Sequence, residues 1–104
     1  MANNGNFTNY VSTTAVPADN NWHLVAVTVD RTTSCGTACG TWYLDGTAVG
    51  TFDPSAYTNL TLNSAAPLLI GAQETGLGDE FFNGGLDELE IFNRALNATE
   101  VQAL

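Results

Sequence analysis

The stretch Thr41-Trp42-Tyr43-Leu44-Asp45-Gly46-Thr47-Ala48-Val49-Gly50-Thr51-Phe52 decides the fold, because it reads as two strands joined by a two-residue turn. An Asp-Gly pair between apolar runs is the strongest short-range signal for a β-hairpin, since both central residues of the turn need positive φ. The return strand is predicted to run from Thr47 to Phe52, where Asp53-Pro54 ends it. The turn also sets the register, which places three pairs opposite each other: Leu44 and Thr47, Tyr43 and Ala48, and Trp42 and Val49.

Apolar runs on both sides of this hairpin predict further strands. Trp22–Asp30 is dense in β-branched residues and is predicted to be a central strand, apolar on both faces. Pro67–Ala72 is predicted to be a short strand, and Leu86–Asn93 a longer one with alternating polarity. The fold class that follows is all-β, an antiparallel sandwich in a single domain spanning residues 1–104.

The two ends of the chain differ in character. Residues 1–9 are polar and Asn-rich, which indicates a flexible lead-in or linker. Asn97 and Glu100 have the spacing of a capping box, which predicts a short terminal helical turn with Val101 and Leu104 on one side. This helical turn is the one helix that the sequence predicts.

Charge excludes two classes of partner. Eleven acidic residues stand against two basic ones, Arg31 and Arg94, and the formal net charge is −9. Such a chain repels the nucleic-acid backbone and anionic lipid, so neither nucleic acid nor a membrane surface is expected as a partner. The first residues lack the basic and apolar regions of a signal peptide, and no run approaches the length of a membrane span.

Cys35 and Cys39 are the only cysteines, and three small residues separate them. No second pair is present to complete a four-ligand zinc site. A disulfide across a loop tip is therefore predicted, and two free thiols in the loop are the alternative. A disulfide would indicate an oxidising, extracellular compartment.

Four motifs in this order resemble the laminin G-like jelly rolls of the concanavalin A-like lectin/glucanase superfamily. The match covers residues 22–104. Its four motifs are Trp22–Thr28, Trp42–Gly46, Pro67–Gly71 and Phe82–Leu96. The resemblance implies a jelly-roll β-sandwich in a secreted or cell-surface protein. Since complete modules carry several strands before the first of these motifs, it also implies that the chain is the C-terminal part of a module.

Apolar faces without their covering strands need a partner. A homodimer is therefore expected, in which each copy covers or extends the sheet of the other. The alternative is a monomer in which residues 7–16 fold back as an extra strand, with Tyr10, Val11 and Val16 on its apolar side.

The resemblance also implies a structural calcium ion. Asp87 shares a strand face with Leu89 and Ile91, so its carboxylate is predicted to point inward and to need a counter-charge. In many relatives the matching Asp contributes to Ca²⁺, an ion that prefers oxygen ligands. The alternative is an Asp87 satisfied by backbone N–H groups or by Arg94.

Catalysis is not expected. Glu88 and Glu90 share one face of the predicted strand, as the paired carboxylates of sandwich glycosidases do, but no third acid follows in step. His23 is the sole histidine and has no nucleophile constellation around it, so it is predicted to pack and hydrogen-bond at the strand entry.

The expected function is a binding or adhesion module, with glycan or glycoprotein as its ligand by resemblance. Aromatic rings stack on sugar faces, and most aromatic residues here are predicted to lie in the core. The candidate ligand-binding residues lie on loops and are Tyr57, Phe81, Asp79 and Glu80. The alternative is a structural or self-assembling accessory segment of a larger secreted protein, with no small ligand.

Overall fold

The computed structural model describes residues 2–3, 6–7, 9–32, 39–55, 67–72 and 81–104. The chain divides into two compact units, residues 1–61 with 92–104, and residues 62–91. The elements of the first unit are β1 (Ala2–Asn3), β2 (Asn6–Phe7), β3 (Val25–Val29), β4 (Gly40–Leu44), β5 (Thr47–Phe52) and α1 (Ala98–Gln102).

The predicted hairpin is confirmed as β4 and β5. Asp45 and Gly46 form the turn with φ of 50° and 76°, the two positive values that a two-residue hairpin turn requires. Helix α1 lies against this turn, because a Cβ at Gly46 would come within 3.3 Å of the Gln102 α-carbon. Glycine at position 46 is therefore needed both for its backbone conformation and for its lack of a side chain.

The register of the hairpin departs from the prediction after two pairs. Leu44 and Thr47, and Tyr43 and Ala48, are opposite each other as predicted, but Trp42 pairs with Gly50 and not with Val49. The shift between Tyr43 and Trp42 is a β-bulge with Val49 as the extra residue of β5.

The bulge has an identifiable cause in side-chain packing. It brings Trp42 opposite Gly50 and Phe52 opposite Gly40, so each large ring lies across from a residue with no side chain. A Cβ at Gly40 would overlap the Phe52 ring, which also packs on Trp42 at a centroid distance of 5.3 Å. Pairing an aromatic ring with a cross-strand glycine covers the exposed backbone of that glycine.

Strand β3 lies at an edge of the three-stranded sheet, whose order is β3-β4-β5. The prediction of a central strand over Trp22–Asp30 is wrong, because the strand is shorter, Val25–Val29, and lies at the edge of this sheet. No strand of the described residues pairs with the outer side of β3, and the side chains of Val25 and Val27 are 57% and 49% exposed.

The buried hydrophobic residues of the described part of the chain are Tyr43 and Val101. Helix α1 begins at the predicted capping box, in which the Asn97 side chain accepts from the Glu100 N–H and the Glu100 carboxylate accepts from the Asn97 N–H. Val101 is fully buried, whereas Leu104, which was predicted to lie on the same side of the helical turn, is 54% exposed.

The lead-in contains ordered structure that its polarity did not predict. Strands β1 and β2 form a small antiparallel pair with Ala2 opposite Phe7. Further along, Tyr10 stacks on Phe52 at 4.5 Å and its hydroxyl donates to the Asp53 carbonyl at 2.9 Å. Residues 9–16 do not form a strand, so the alternative of an added strand is not met there, although this segment contacts the end of β5.

The second unit contains neither of the strands predicted for its part of the chain. Pro67–Ala72 has only an isolated bridge between Ala72 and Phe81, supported by a hydrogen bond from the Phe82 N–H to the Gly71 carbonyl. Residues 86–93 form no strand, and Glu88 has a positive φ of 50°, which breaks the alternation of side chains. A strand needs a neighbour to satisfy its backbone, and no neighbour is provided by the described residues.

Cys39 precedes β4 and is disulfide-bonded. Cys35 lies outside the described residues, so the pairing of these two cysteines stays a prediction. No helix in the described part of the chain has both the length and the apolar character needed to cross a membrane.

Candidate functional site

The best-defined polar cluster of the described residues surrounds His23, where the chain enters β3. The Nδ1 atom of His23 lies 2.8 Å from Oδ2 of Asp45, and its Nε2 atom lies 3.0 Å from Oδ1 of Asp19. The imidazole is 13% exposed, while the two carboxylates are 44% and 52% exposed. The predicted role of His23 as a hydrogen-bonding residue at the strand entry agrees with this geometry.

The two carboxylates set the protonation of the ring. Ionised carboxylates only accept hydrogen bonds, so both ring nitrogens must donate, which is the state of the imidazolium cation. Hydrogen bonds to Asp19 and then to Asp45 raise the pKa of His23 above its ordinary value of 6.5. The same bonds from His23 lower the pKa of Asp19 and of Asp45.

Backbone hydrogen bonds fasten this cluster to the hairpin turn. The Leu24 N–H donates to Oδ1 of Asp45 at 3.0 Å, and the Asp45 N–H donates to the Leu24 carbonyl at 2.8 Å. On the other side of the ring, the Asn21 N–H donates to Oδ1 of Asp19 at 2.9 Å, and Asn20 adopts a positive φ of 64°. The loop over residues 19–24 is therefore held from both of its ends.

Trp22 lies in this fastened loop and is 73% exposed. The sequence predicted Trp22 as the first residue of a buried strand, and that prediction is wrong because β3 begins only at Val25. A large ring held on a constrained loop loses little conformational freedom when it binds a flat partner. Trp22 next to the His23 cluster is thus the strongest candidate for a ligand-binding surface.

A small apolar groove lies on the sheet itself. It has a volume of about 120 Å³, and its walls come from the sheet and from residues 12–16: Ser12, Thr14, Val16, Val25, Trp42, Tyr43, Leu44 and Val49. Pockets for small molecules are larger, roughly 300–1,000 Å³. The groove is better explained as the imperfect packing of residues 12–16 on the sheet than as a ligand pocket.

Of the four residues predicted to bind a ligand, Phe81 is the one that lies among the described residues. Phe81 is 68% exposed in the second unit, and Tyr57, Asp79 and Glu80 lie outside the described residues. Trp22 was missed because its apolar neighbours extended the predicted strand too far. The signal that could have found it is the polar run Asp19-Asn20-Asn21, which is typical of a turn directly before it.

Asp87 is exposed and does not point into a core as predicted. Its Oδ1 atom accepts a hydrogen bond from the Glu88 N–H at 2.9 Å, which agrees in part with the alternative of backbone satisfaction. Arg94 is instead paired with Glu100 through two hydrogen bonds of 2.7 and 2.8 Å. This pairing lowers the pKa of Glu100 to about 2.

No group of three or more acidic, histidine or cysteine side chains suited to a metal ion occurs in the described ranges. Glu88 and Glu90 also fail to share a strand face, because that strand is not formed and Glu88 has a positive φ. The face that a glycosidase-like carboxylate pair requires is therefore missing at these two residues.

A laminin G family model, described as the concanavalin A-like lectin/glucanases superfamily, matches residues 1–102. The chain belongs to this superfamily. The jelly-roll fold class expected from the sequence motifs is confirmed, and the match extends over the lead-in that precedes those motifs.

One solved structure is similar to this superfamily member over most of its length. It is the crystal structure, at 2.1 Å resolution, of residues 221–444 of an S-layer domain-containing protein from Clostridium thermocellum ATCC 27405. The TM-score is 0.61 and the identity 26%, over 88% of this chain and 42% of that one, so the chain spans less than half of the solved fragment. A search of curated proteins found no match.

Proposed function

We propose that this chain is a non-catalytic binding module of an extracellular protein and that its ligand is a glycan or a glycoprotein. Membership of a superfamily named for lectins and glucanases supports the class of ligand. Similarity to an S-layer domain-containing protein supports a secreted or cell-surface location. The observation that carries the proposal is the exposed Trp22 ring on a loop fastened at both ends.

The chemistry around Trp22 suits a sugar. The apolar C–H face of a pyranose ring packs on an indole, and the hydroxyl groups around it need hydrogen-bond acceptors. Asp19 and Asp45 are about half exposed, and an ionised carboxylate has about four acceptor sites, so each can accept further bonds. A stacking ring beside rigid acceptors gives both affinity and orientation.

The non-catalytic part of the proposal is supported by the carboxylates. Glycoside hydrolysis requires two carboxyl groups that flank the scissile bond at a fixed separation. His23 holds Asp19 and Asp45 in hydrogen bonds, and this favours their ionised forms. A general acid needs the opposite, a raised pKa, so this pair suits binding better than proton transfer.

Glycan-array binding of the fluorescently labelled chain tests the proposal, with titration calorimetry on any glycan that binds. Trp22→Ala should weaken binding by roughly 5- to 150-fold, since the loss of one stacking contact on an aromatic side chain costs about 1–3 kcal/mol. Val11→Ala is the matched control, because Val11 is 80% exposed but lies away from the His23 cluster in sequence. Phe81→Ala tests the ligand residue that the sequence predicted.

Two results would contradict the proposal. An array with no glycan bound, in calcium and in chelator alike, would contradict a glycan as the ligand. Equal affinities of the unsubstituted chain and of Trp22→Ala would show that Trp22 does not bind the glycan. Loss of binding in Phe81→Ala alone would place the binding site in the second unit.

A structural calcium ion at Asp87 is a separate proposal. Asp87 supplies one exposed carboxylate, and calcium takes 6–8 oxygen ligands, so the described residues do not form such a site on their own. The other ligands would be carbonyl oxygens from segments upstream of Asp87. The melting experiment given in the Discussion tests this proposal.

The second candidate function is a structural or self-assembling accessory segment of a larger secreted protein. The observation that favours it is the exposed apolar surface of β3, where Val25 and Val27 are about half exposed on an edge that no strand of the described residues pairs with. Large exposed apolar surface is typical of an interaction site. This candidate does not exclude the first, because Trp22 precedes β3 and lies outside it.

A further inference from the structure

We propose that β3 pairs edge to edge with β3 of a second copy of this chain, so that two three-stranded sheets become one continuous sheet across a two-fold axis. This inference is independent of the glycan proposal. It rests on the backbone of β3, on the contrast between the two edges of the sheet, and on the register that the strand allows.

The backbone groups at the outer side of β3 belong to its valines. The ladder between β3 and β4 pairs Leu24 with Asp45 and Asp30 with Cys39, and each of these pairs is joined by a backbone hydrogen bond. Hydrogen-bonded and non-hydrogen-bonded pairs alternate in an antiparallel ladder. The even-numbered residues of β3 therefore face β4, while the N–H and C=O groups of Val25, Val27 and Val29 point away from it.

This edge has none of the features that keep sheet edges apart. Natural edges carry charged side chains, proline or bulges, or are covered by another segment. The strand Val25–Val29 reads Val-Ala-Val-Thr-Val and contains no charge and no proline. Its ladder with β4 is regular throughout.

The opposite edge of the same sheet is protected. Strand β5 carries the bulge at Val49, and the Val49 carbonyl accepts from the Thr14 hydroxyl at 3.5 Å. Just beyond β5, the Asp53 carbonyl accepts from the Tyr10 hydroxyl at 2.9 Å. Tyr10 and Thr14 therefore contact one edge of the sheet, and β3 stays open among the described residues.

A second copy fits this edge because β3 is complementary to itself. Antiparallel pairing centred on Val27 places Val25 of one copy opposite Val29 of the other, so the outward groups of the valines meet in register. The exposed apolar side chains then neighbour each other across the two-fold axis. Such an interface is closed and leaves no further β3 edge for fibre growth.

The experiment uses sedimentation velocity and light scattering on the full chain from low to high micromolar concentration, with hydrogen exchange measured at both ends of the range. The mass should rise from 11.0 kDa toward twice that value. The amides of Val25, Val27 and Val29 should exchange quickly in dilute solution and become protected as the mass rises.

Val27→Pro is the decisive variant, because it removes an outward N–H and leaves the ladder with β4 intact. It should weaken dimerisation by on the order of tenfold or more, since each dimer loses the bond twice. Thr28→Pro is the matched control: it removes an inward N–H and should unfold the sheet. Val25→Lys provides a second test that leaves the backbone unchanged, because a charged edge residue opposes strand pairing.

Three results would overturn the proposal. A mass of 11.0 kDa at every concentration would exclude the second copy. A dimer unaffected by both Val27→Pro and Val25→Lys would place the interface elsewhere. Protection of the valine amides in a monomer would show that another segment of the same chain covers the edge.

Discussion

Adding a methyl group at Gly40 should destabilise the fold, although Gly-to-Ala substitutions in strands usually stabilise it. Gly40 is buried and pairs with Phe52, and a Cβ at this position would overlap the Phe52 ring. The ring cannot move away freely, because it stacks on Tyr10 at 4.5 Å and packs on Trp42 at 5.3 Å. Overpacking of this kind costs about 1–3 kcal/mol.

Gly50 offers a matched control on the neighbouring strand. A Cβ there would have its nearest neighbour, the Cδ1 atom of Trp42, at 3.9 Å, which is an ordinary van der Waals contact. Gly50→Ala should therefore gain about 0.5–1 kcal/mol from the smaller backbone entropy of the unfolded chain. The two substitutions are the same in chemistry and should have opposite signs.

Urea unfolding followed by tryptophan fluorescence measures both free energies of unfolding, and a difference between the variants of about 1.5–4 kcal/mol is expected. Phe52→Leu should restore part of the stability lost in Gly40→Ala, because the smaller side chain makes room for the methyl group. Equal effects of the two alanines, or a loss in Gly40→Ala that Phe52→Leu does not change, would refute the proposed packing of the ring over Gly40.

Three further predictions concern the charged and sulfur groups. His23→Ala should lower the melting temperature most near pH 5–6 and less at higher pH. The raised pKa of His23 stabilises the folded chain fully below pH 6.5, and this contribution is lost as the pH rises through the pKa of the folded state. A loss of melting temperature that grows with pH would contradict this prediction. Free-thiol titration of the native chain should find no reactive thiol, and the double variant Cys35→Ser, Cys39→Ser should still fold, because closing so short a loop stabilises only modestly; two reactive thiols in air would exclude the bridge. Calcium should raise the melting temperature, and Asp87→Ala but not Glu90→Ala should abolish the increase; identical melting curves in calcium and in chelator would exclude the ion.

The parts of the fold that could be predicted from the sequence are those that local chemistry determines. The Asp45-Gly46 turn needs positive φ at both residues, and the Asn97 cap needs an acceptor for the Glu100 N–H; both requirements act within a few residues. The capping box and the bounds of β5 were therefore correct. The superfamily was also recognised, because its motifs surround such local features.

The predictions that were wrong concern features that depend on pairing between segments far apart in the sequence. Whether β3 is central or at an edge depends on which strands are present to pair with it, and the apolar pattern of Trp22–Asp30 does not contain that information. The same holds for residues 86–93, whose alternation is typical of a strand but which have no partner strand among the described residues. Hydrophobic pattern predicts the capacity to pair, and pairing itself requires a neighbour.

The register error at Trp42 has a different origin, since the information was present in the sequence. Gly40 and Gly50 are each two residues from an aromatic ring on their own strand, Trp42 and Phe52. Without a bulge, the turn would place these rings opposite Val49 and Cys39, which carry side chains of their own. Adding one residue to β5 moves both rings opposite the two glycines at once.

Asp45 shows how a residue that marks the fold can also shape the candidate site. A two-residue turn of this kind accepts Asn or Gly at its first position as readily as Asp, so the turn alone does not explain a carboxylate there. The carboxylate is explained by its other contacts, since one oxygen bonds His23 and the other accepts the Leu24 N–H. Through these two bonds the hairpin turn holds the loop that presents Trp22, and the local signal that determines the hairpin thereby positions the exposed ring on which the proposed binding function depends.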